Sequence, residues 1–247
     1  YLWFTPIPAP YQYQLISEGD SKKFPQMDLD AWPDLKLSQY KVQAEGIDKP
    51  IAELIVAQQG DGPRVLTYWK NSTNEILYNL DRKPSELSAL AAVIGKHAPK
   101  DALILSWWDT SRQIKLLTGH DTLFTSHLNE PLMVPVAWLE QSKAIMAYEN
   151  QFWESSANSK EQEQFKRFSQ ALAASAEEGV AQLRELIGSN REAYLIVHVT
   201  DLYKLGLMYP DKIGVAYQNF PLTGNMHGMI NHMKVQLKEN DFNTYTL

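Results

Sequence analysis

The sequence predicts an α/β fold, in which a mixed, largely parallel sheet carries flanking helices and an antiparallel β extension from the N-terminal third. Three observations predict this fold. Residues 37–78 show a β-like pattern interrupted by turn signals, which is typical of antiparallel strands. Short apolar runs at 102–108 and 193–200 are typical of strands buried on both faces. Amphipathic helix patterns lie between these runs, as they do in β-α-β units.

The first segment, "YLWFTPIPAPYQYQ" at residues 1–14, is predicted to be an extended linker, because its prolines do not fit a helix interior. Aromatic residues followed by prolines are typical of a chain leaving a membrane, since Trp and Tyr prefer the headgroup region. The ragged end of a fragment is the alternative. We expect residues 15–247 to form a single α/β ectodomain, with a β-rich part at 15–80 and an α/β part at 81–247.

The β-rich part contains the stretches "QYKVQAEGI", "IAELIVAQQ" and "RVLTYWK", which "DKP" and "GDGP" separate. Both separators are turn sequences, because Gly and Pro supply the backbone angles that tight turns need. Short turns join neighbouring strands only in the antiparallel sense. We therefore expect three or four antiparallel strands here.

The pattern then changes to helix and strand in alternation. "KPSELSALAAVIGKHAPKD" has Pro84 near its start and Gly95 near its end, which predicts a helix. The buried strand "ALILSWW" follows, then a helix "DTSRQIKLLTG" with Asp109 or Thr110 as its cap and Gly119 as its stop, then a strand "DTLFTS". This order predicts a parallel β-α-β unit.

Five further elements complete the predicted fold. Helices are expected over "PVAWLEQSKAIMAYENQFW" and over the long stretch from Ser159 to Gly188, which opens with capping-box spacing. "AYLIVHVT" returns to a buried strand and "DLYKLGLM" to a short helix. A final helix is expected over "TGNMHGMINHMKVQLKEN".

Composition excludes several functions. The chain has no cysteine, so disulfides, zinc–thiolate sites, iron–sulfur clusters and thiol catalysis are excluded. The net charge of −6 argues against a nucleic-acid partner, which requires a basic face. The sequence contains none of the patterns GxSxG, HExxH or a glycine-rich phosphate loop, so the common hydrolase, zinc-protease and nucleotide-binding functions lack support.

The stretch "DALILSWWDTSRQIKLLTGHDT" at residues 101–122 is the main candidate binding site. In open α/β sheets ligands bind beyond the carboxyl ends of the strands, and Trp107, Trp108 and Asp109 occupy such an end. Alternation along a strand sends the two indoles to opposite sides, so one is expected to be buried and the other to line a cleft. Two roles stay open for Asp109, as a helix cap or as an acceptor for a ligand. Arg112 and His120 complete the candidate ligand- or partner-binding set.

The same stretch resembles the Trp-Trp-Asp region of oligosaccharyltransferase catalytic subunits. In that family a buried strand ends in Ser-Trp-Trp-Asp, and the resemblance implies that this corner binds the hydroxyl group of a peptide or glycan. The match departs at Thr110 and Ser111, where that family has Tyr-Gly, and no membrane portion with metal-binding carboxylates is present in the sequence. The resemblance therefore implies shared architecture without shared catalysis.

Over a longer span the chain resembles the HaoB family, membrane-anchored proteins encoded beside hydroxylamine oxidoreductase in ammonia-oxidising bacteria. The block "SWWDTSRQIKLLTGHDT", the aromatic-proline opening and the absence of cysteine carry this resemblance. It implies a periplasmic ectodomain, anchored to the inner membrane, that serves hydroxylamine oxidation in nitrification. The family has no assigned catalytic site, so the resemblance assigns no residue a role.

Histidines and methionines near the C-terminus raise a copper-binding alternative, because thioether and imidazole groups suit Cu(I). In a helix His227 and His232 are about 140° apart, which is unfavourable for chelation from one face. An apolar helical stripe explains the methionines by packing instead. We also expect His198 to be a core residue of its strand. The copper ligands of this alternative are Met226, His227, Met229, His232 and Met233.

The sequence thus favours a periplasmic, membrane-tethered accessory protein that binds hydroxylamine oxidoreductase or assists its maturation. No complete catalytic constellation is present, so binding is favoured over turnover, and no cofactor is expected. The two alternatives are a glycan- or peptide-binding domain and a copper-binding protein.

Overall fold

The computed structural model describes residues 8–72, 84–128, 136–154, 159–188, 191–220, 230–237 and 242–246. The chain divides into two compact units. Unit 1 comprises Tyr1–Gln162 and Arg191–Leu195, and unit 2 comprises Glu163–Asn190 and Ile196–Leu247. Helices and strands both contribute to the described residues, which confirms the mixed α/β class.

Unit 1 contains a four-stranded antiparallel sheet in the order β1-β2-β3-β4. This confirms the antiparallel strands expected in the β-rich part. Strand β1 begins within the segment predicted to be a linker, because Tyr11 pairs with Ala44 of β2. Residues 11–14 therefore belong to the sheet. The strands are β1 (Tyr11–Gly19), β2 (Leu35–Ala44), β3 (Ala52–Gln59) and β4 (Val65–Asn71).

Apolar residues on both faces of this sheet are buried. On one face Leu37, Ile55 and Ala57 pack into a cluster with Leu87 of helix α1 (Pro84–His97). On the other face Val42, Leu54 and Val56 form a cluster with Trp153. Odd- and even-numbered residues of β3 separate between the two clusters, as the two-residue period of a strand requires. The second cluster contributes Trp153 to the candidate site, and Tyr11 and Tyr13 pack against it.

The parallel β-α-β unit is confirmed, although its strands are short. Strand β5 (Leu103–Leu105) leads to helix α2 (Trp108–Thr118), which returns to strand β6 (Asp121–Thr122), parallel to β5. Strand β7 (Ala193–Leu195) pairs with the other side of β5, also in parallel. β7 is therefore an edge strand, and Leu195 is 45% exposed, so the expectation of a strand buried on both faces was wrong there.

The remaining helices follow the sequence pattern with one exception. Helix α3 (Ser142–Phe152) follows a 3₁₀ turn at Val136–Gln141, and helix α6 (Val199–Met208) lies where a short helix was expected. The single long helix predicted from Ser159 is instead α4 (Ser159–Leu172) and α5 (Ala176–Ile187). Ser175 starts the second helix by accepting a hydrogen bond from the backbone N–H of Glu178.

Helices α4 and α5 approach closely in unit 2, and Gly179 permits that approach. A Cβ at this position would lie 2.5 Å from the backbone oxygen of Ala171, whereas a Cβ at Gly95 of α1 would meet nothing within 4 Å. We expect Gly179→Ala to lower the free energy of unfolding by about 1–3 kcal/mol through overpacking. Gly95→Ala should raise it by about 0.5–1 kcal/mol, because alanine favours helices. Urea denaturation measures both, and stabilisation by both substitutions would contradict the close approach.

The final helix predicted from the sequence was wrong. Strands β8 (Ile213–Phe220), β9 (Ile230–Leu237) and β10 (Phe242–Thr246) form a separate antiparallel sheet in the order β10-β9-β8. Residues of β9 pair along their whole length with β8, so long-range pairing overrides the local helical pattern. Within the described residues the strands form three sheets, of which one is parallel, in place of the expected mixed, largely parallel sheet with an antiparallel extension.

Strand β9 also changes the argument about copper binding. His232 and Met233 lie in β9, whereas Met226, His227 and Met229 lie outside the described residues. The helical spacing that favoured packing over metal does not apply to a strand. Copper binding by these residues stays an untested alternative.

In the ranges that the structure describes, no helix is long and apolar enough to cross a membrane.

Candidate functional site

The Trp-Trp-Asp corner lies where β5 passes into α2. The helix begins at Trp108, with Trp107 preceding it in an extended conformation as the N-cap residue. Asp109 is therefore in the first turn and is not the cap predicted from the sequence. Its Oδ1 accepts hydrogen bonds from the N–H of Thr110, at 2.6 Å, and from the Thr110 hydroxyl, at 3.2 Å. A carboxylate in the first turn is also favoured by the helix dipole.

The two indoles have different exposures, as expected, although strand alternation is not the reason, because β5 ends at Leu105 and Trp108 begins α2. Trp107 is 2% exposed, whereas Trp108 and Asp109 are each half-buried. Below them Ser111 Oγ lies 2.8 Å from Ser106 Oγ and donates to the Ser106 carbonyl at 3.1 Å. Both serines are fully buried, so these bonds fix the turn between strand and helix. The corner thus presents one indole and one carboxylate at the surface.

Arg112, one helical turn beyond Trp108, is buried and joins three parts of unit 1. Its Nη2 donates to the carbonyl of Arg64 at 2.6 Å, and its Nη1 lies 3.1 Å from Nδ1 of His127. The neighbouring Gln113 donates to the carbonyl of Leu66 at 2.7 Å. These donors attach α2 to the outer edge of β4.

The guanidinium of Arg112 is a buried charge with incomplete hydrogen bonding. Its Nε is buried and has no hydrogen-bond partner among the described residues. Burial lowers the pKa of Arg112 to about 10, and the negative charges of Glu161 and Asp109 oppose that shift. The group therefore stays cationic at neutral pH beside the half-buried corner.

His127 lies between two indoles. Its ring stacks on Trp153, with centroids 4.5 Å apart and an angle of 12°, and meets Trp108 edge-on at 4.6 Å. Since a guanidinium only donates, Nδ1 of His127 accepts from Arg112 and the ring proton is on Nε2. Burial, and then the charge of Arg112, lower the pKa of His127 to about 3. The imidazole is therefore neutral at physiological pH.

A buried carboxylate lies beneath this stack. Glu149 of α3 accepts hydrogen bonds from the hydroxyl of Tyr11, from the hydroxyl of Tyr13 at 2.8 Å and from Nε1 of Trp153 at 2.8 Å. The N–H of Tyr13 donates to the hydroxyl oxygen of Tyr148 at 2.7 Å. Burial, and then the charge of Glu149, raise the pKa of both Tyr11 and Tyr13, so both phenols remain protonated.

His120, which the sequence grouped with the corner, lies at the opposite end of α2. It follows the C-cap residue Gly119, and its ring nitrogens contact the hydroxyl of Thr118 at 2.9 Å and the carbonyl of Ala98 at 3.4 Å. A helix of 11 residues is about 16 Å long. The structure therefore does not bring His120 to the corner.

His198 is not the core strand residue that the sequence predicted. It is half-buried and forms the N-cap of α6, accepting a hydrogen bond from the N–H of Thr200 at 3.2 Å. The carboxylate of Asp201 accepts from the N–H of His198 at 2.9 Å in return. This reciprocal pair is a capping box, which gives His198 a structural role.

The sequence did not reveal the cluster of His127, Trp153, Glu149 and the two N-terminal tyrosines. These residues come from β1, from the chain after β6, and from the end of α3, so no fixed spacing links them. One local signal was present, because Glu149 and Trp153 are four residues apart and so face the same side of a helix. Within the described ranges, no group of three or more His, Asp or Glu residues is placed to hold a metal ion.

The fold and the site define a mixed α/β protein with a half-exposed Trp-Asp corner. A buried Arg-His pair and an aromatic cluster pack next to this corner. The family model described as HaoA-associated protein HaoB matches residues 1–247. The chain belongs to this family. No curated protein and no solved structure matches the chain.

Proposed function

We propose that this protein is an accessory protein of hydroxylamine oxidation that acts by binding HaoA, the hydroxylamine oxidoreductase, in support of its function or maturation. The observation that carries the proposal is the family match, which extends over the whole chain and is described by association with HaoA. Association with HaoA follows from that description, and hydroxylamine oxidation and nitrification follow as its setting. The mode of action is our inference.

The Trp-Trp-Asp corner is the surface through which we expect the chain to bind its partner. A half-exposed indole contributes a large apolar area, and Trp is among the residues that dominate binding energy at protein interfaces. The adjacent carboxylate of Asp109 accepts charge-assisted hydrogen bonds from a partner's donors. His127 contacts the ring of Trp108. Arg112, which lies on the same helix as Trp108 and Asp109, forms a hydrogen bond with His127.

A binding measurement with purified HaoA tests this proposal. We expect Trp108→Ala and Asp109→Asn each to weaken binding by about tenfold or more, which corresponds to about 1.4 kcal/mol. Asp109→Asn retains a side-chain oxygen for the N–H of Thr110 and loses only the negative charge in the first turn. The free energy of unfolding should therefore change by less than about 1 kcal/mol.

Asp61→Asn is the matched control, because Asp61 is an exposed acidic residue in the turn after β3. It should leave both affinity and stability unchanged. Unchanged affinity in both corner variants would disprove the role of the corner, whereas absence of binding by the unmodified chain would disprove association itself.

We further propose that the protein is periplasmic and anchored to the inner membrane. The support is the sequence of residues 1–14, in which aromatic side chains suited to the headgroup region precede alternating prolines. Separation of periplasmic and inner-membrane fractions from cells tests the location, and recovery of the protein in the cytoplasm would exclude it.

A further inference from the structure

Unit 1 contains a continuous series of aromatic rings between two half-exposed tryptophans. From Trp108 the centroid distances are 4.6 Å to His127, 4.5 Å from His127 to Trp153, and 6.2 Å from Trp153 to Tyr13. The series continues for 5.7 Å from Tyr13 to Tyr11 and for 5.5 Å from Tyr11 to Trp138, where the rings stack. Trp108 and Trp138 are half-buried, so each end of the series reaches the surface.

The centre of this series couples two phenols and an indole to one carboxylate. Tyr11 and Tyr13 donate their hydroxyl groups to the same oxygen of Glu149, and the indole N–H of Trp153 donates to the other oxygen. Glu149 is 6% exposed, so water does not replace these donors. An aromatic core needs no buried carboxylate for packing, and a buried charge is unfavourable unless hydrogen bonds compensate it.

From this geometry we propose that Tyr11 and Tyr13 form a redox-active pair, with Glu149 as the proton acceptor and with Trp153, His127 and Trp108 as the path to the surface. This proposal goes beyond association with HaoA and does not depend on it. Its co-reactant is a strong one-electron oxidant that approaches the half-exposed Trp108.

The reaction transfers one electron to the oxidant and one proton to Glu149. The oxidant gains one electron, which the phenol of Tyr13 supplies by way of Trp153 and the adjoining rings. The O–H bond of Tyr13 breaks, and its proton moves along the 2.8 Å hydrogen bond to Oε1 of Glu149. The products are a neutral tyrosyl radical, a protonated Glu149 and the reduced oxidant.

Three features of the site favour this step. Electron transfer between rings weakens exponentially with distance, and each ring of the series lies beside the next. A phenol that loses an electron becomes a strong acid, so a hydrogen-bonded carboxylate favours its oxidation. Tyr13 is half-buried and packs against Phe152 and Trp153, which restricts the access of solvent and small reductants to its ring.

A photochemical experiment on the full chain tests the proposal. The chain has no cysteine, so Thr125→Cys, an exposed position two residues before His127, provides one attachment site for a ruthenium polypyridyl photo-oxidant. After flash oxidation we expect the absorption and electron paramagnetic resonance signals of a neutral tyrosyl radical. Its formation should slow in D2O, because the step moves a proton. Glu149→Gln should slow it by about tenfold or more, because a positioned proton acceptor is lost.

Tyr194→Phe is the matched control, because the hydroxyl of Tyr194 also donates to a carboxylate, that of Glu192 at 2.6 Å, but its ring is not part of this aromatic series. The labelled double variant Tyr11→Phe, Tyr13→Phe should lose the radical signal, while Tyr194→Phe should keep it. The proposal would be overturned if the radical signal persisted in the double variant or if it were lost in Tyr194→Phe. It would also be overturned if the protein with both tyrosines intact showed no isotope effect. The isotope measurement requires no substitution of Tyr11 or Tyr13, so its result does not depend on whether a variant folds correctly.

Discussion

Replacement of Trp107 by alanine is expected to lower the free energy of unfolding by about 3–5 kcal/mol, the usual cost of removing a buried tryptophan side chain. The indole is 2% exposed, and the residue is the N-cap of α2, directly after the buried strand β5. Chemical denaturation followed by circular dichroism measures the effect.

Trp108→Ala is the natural comparison, because the two tryptophans are adjacent and differ in exposure. Trp108 is half-buried and contacts His127 edge-on, so its removal should cost less stability than removal of Trp107. The order should reverse for partner binding, where Trp108 provides the exposed surface. Equal stability losses in the two variants would contradict the assignment of one indole to the core and the other to the surface.

Local signals in the sequence were sufficient for much of the fold. The turn sequences after β2 and β3 predicted antiparallel neighbours, because short connections allow no other arrangement. Gly119 predicted the end of α2, and it has the left-handed backbone, with φ of 71°, that glycine adopts most easily. The expected difference in exposure between Trp107 and Trp108 is also present, although it arises at a helix start rather than from strand alternation. Each of these predictions depends on neighbours within a few positions.

Two of the errors have a common physical origin in long-range pairing. The C-terminal stretch carries an apolar pattern compatible with a helix, yet Ile230–Leu237 pairs with β8 and forms a strand. Similarly, Tyr11–Gln14 follow a proline-rich opening but pair with β2. The hydrogen bonds between these strands join residues that are distant in sequence, so no local sequence pattern predicts them.

The candidate site could be predicted only in its local part. Trp108, Asp109 and Arg112 are close in sequence, and the structure places them together on the first turns of α2. His127 is not part of the site predicted from the sequence, and its position between Trp108 and Trp153 depends on the packing of α3 against the sheet. The same packing moves Glu149 under the tyrosines of β1. His120 was grouped with the corner by sequence proximity, although the length of α2 separates them.

Acidification from pH 6.5 towards pH 3 is expected to destabilise unit 1 through His127. Burial and the adjacent guanidinium of Arg112 hold the pKa of His127 at about 3 in the folded protein, below the ordinary value of 6.5. In the unfolded chain the imidazole gains a proton below pH 6.5, whereas in the folded chain it stays neutral down to about pH 3. The stability that this difference contributes is complete above pH 6.5 and is lost as the pH falls towards 3.

The expected loss is on the order of a few kcal/mol, since one pKa unit corresponds to about 1.4 kcal/mol. His127→Phe is the matched variant, because phenylalanine preserves a flat ring against Trp153 and does not titrate. The variant is expected to be less stable at pH 7, where Arg112 loses the acceptor for its Nη1. The decisive quantity is therefore the slope of the unfolding free energy against pH between 7 and 4, which should be shallower in His127→Phe than in the unmodified chain. Equal slopes, or a charged imidazole observed by NMR at pH 5, would show that His127 is not held neutral by its burial and by Arg112.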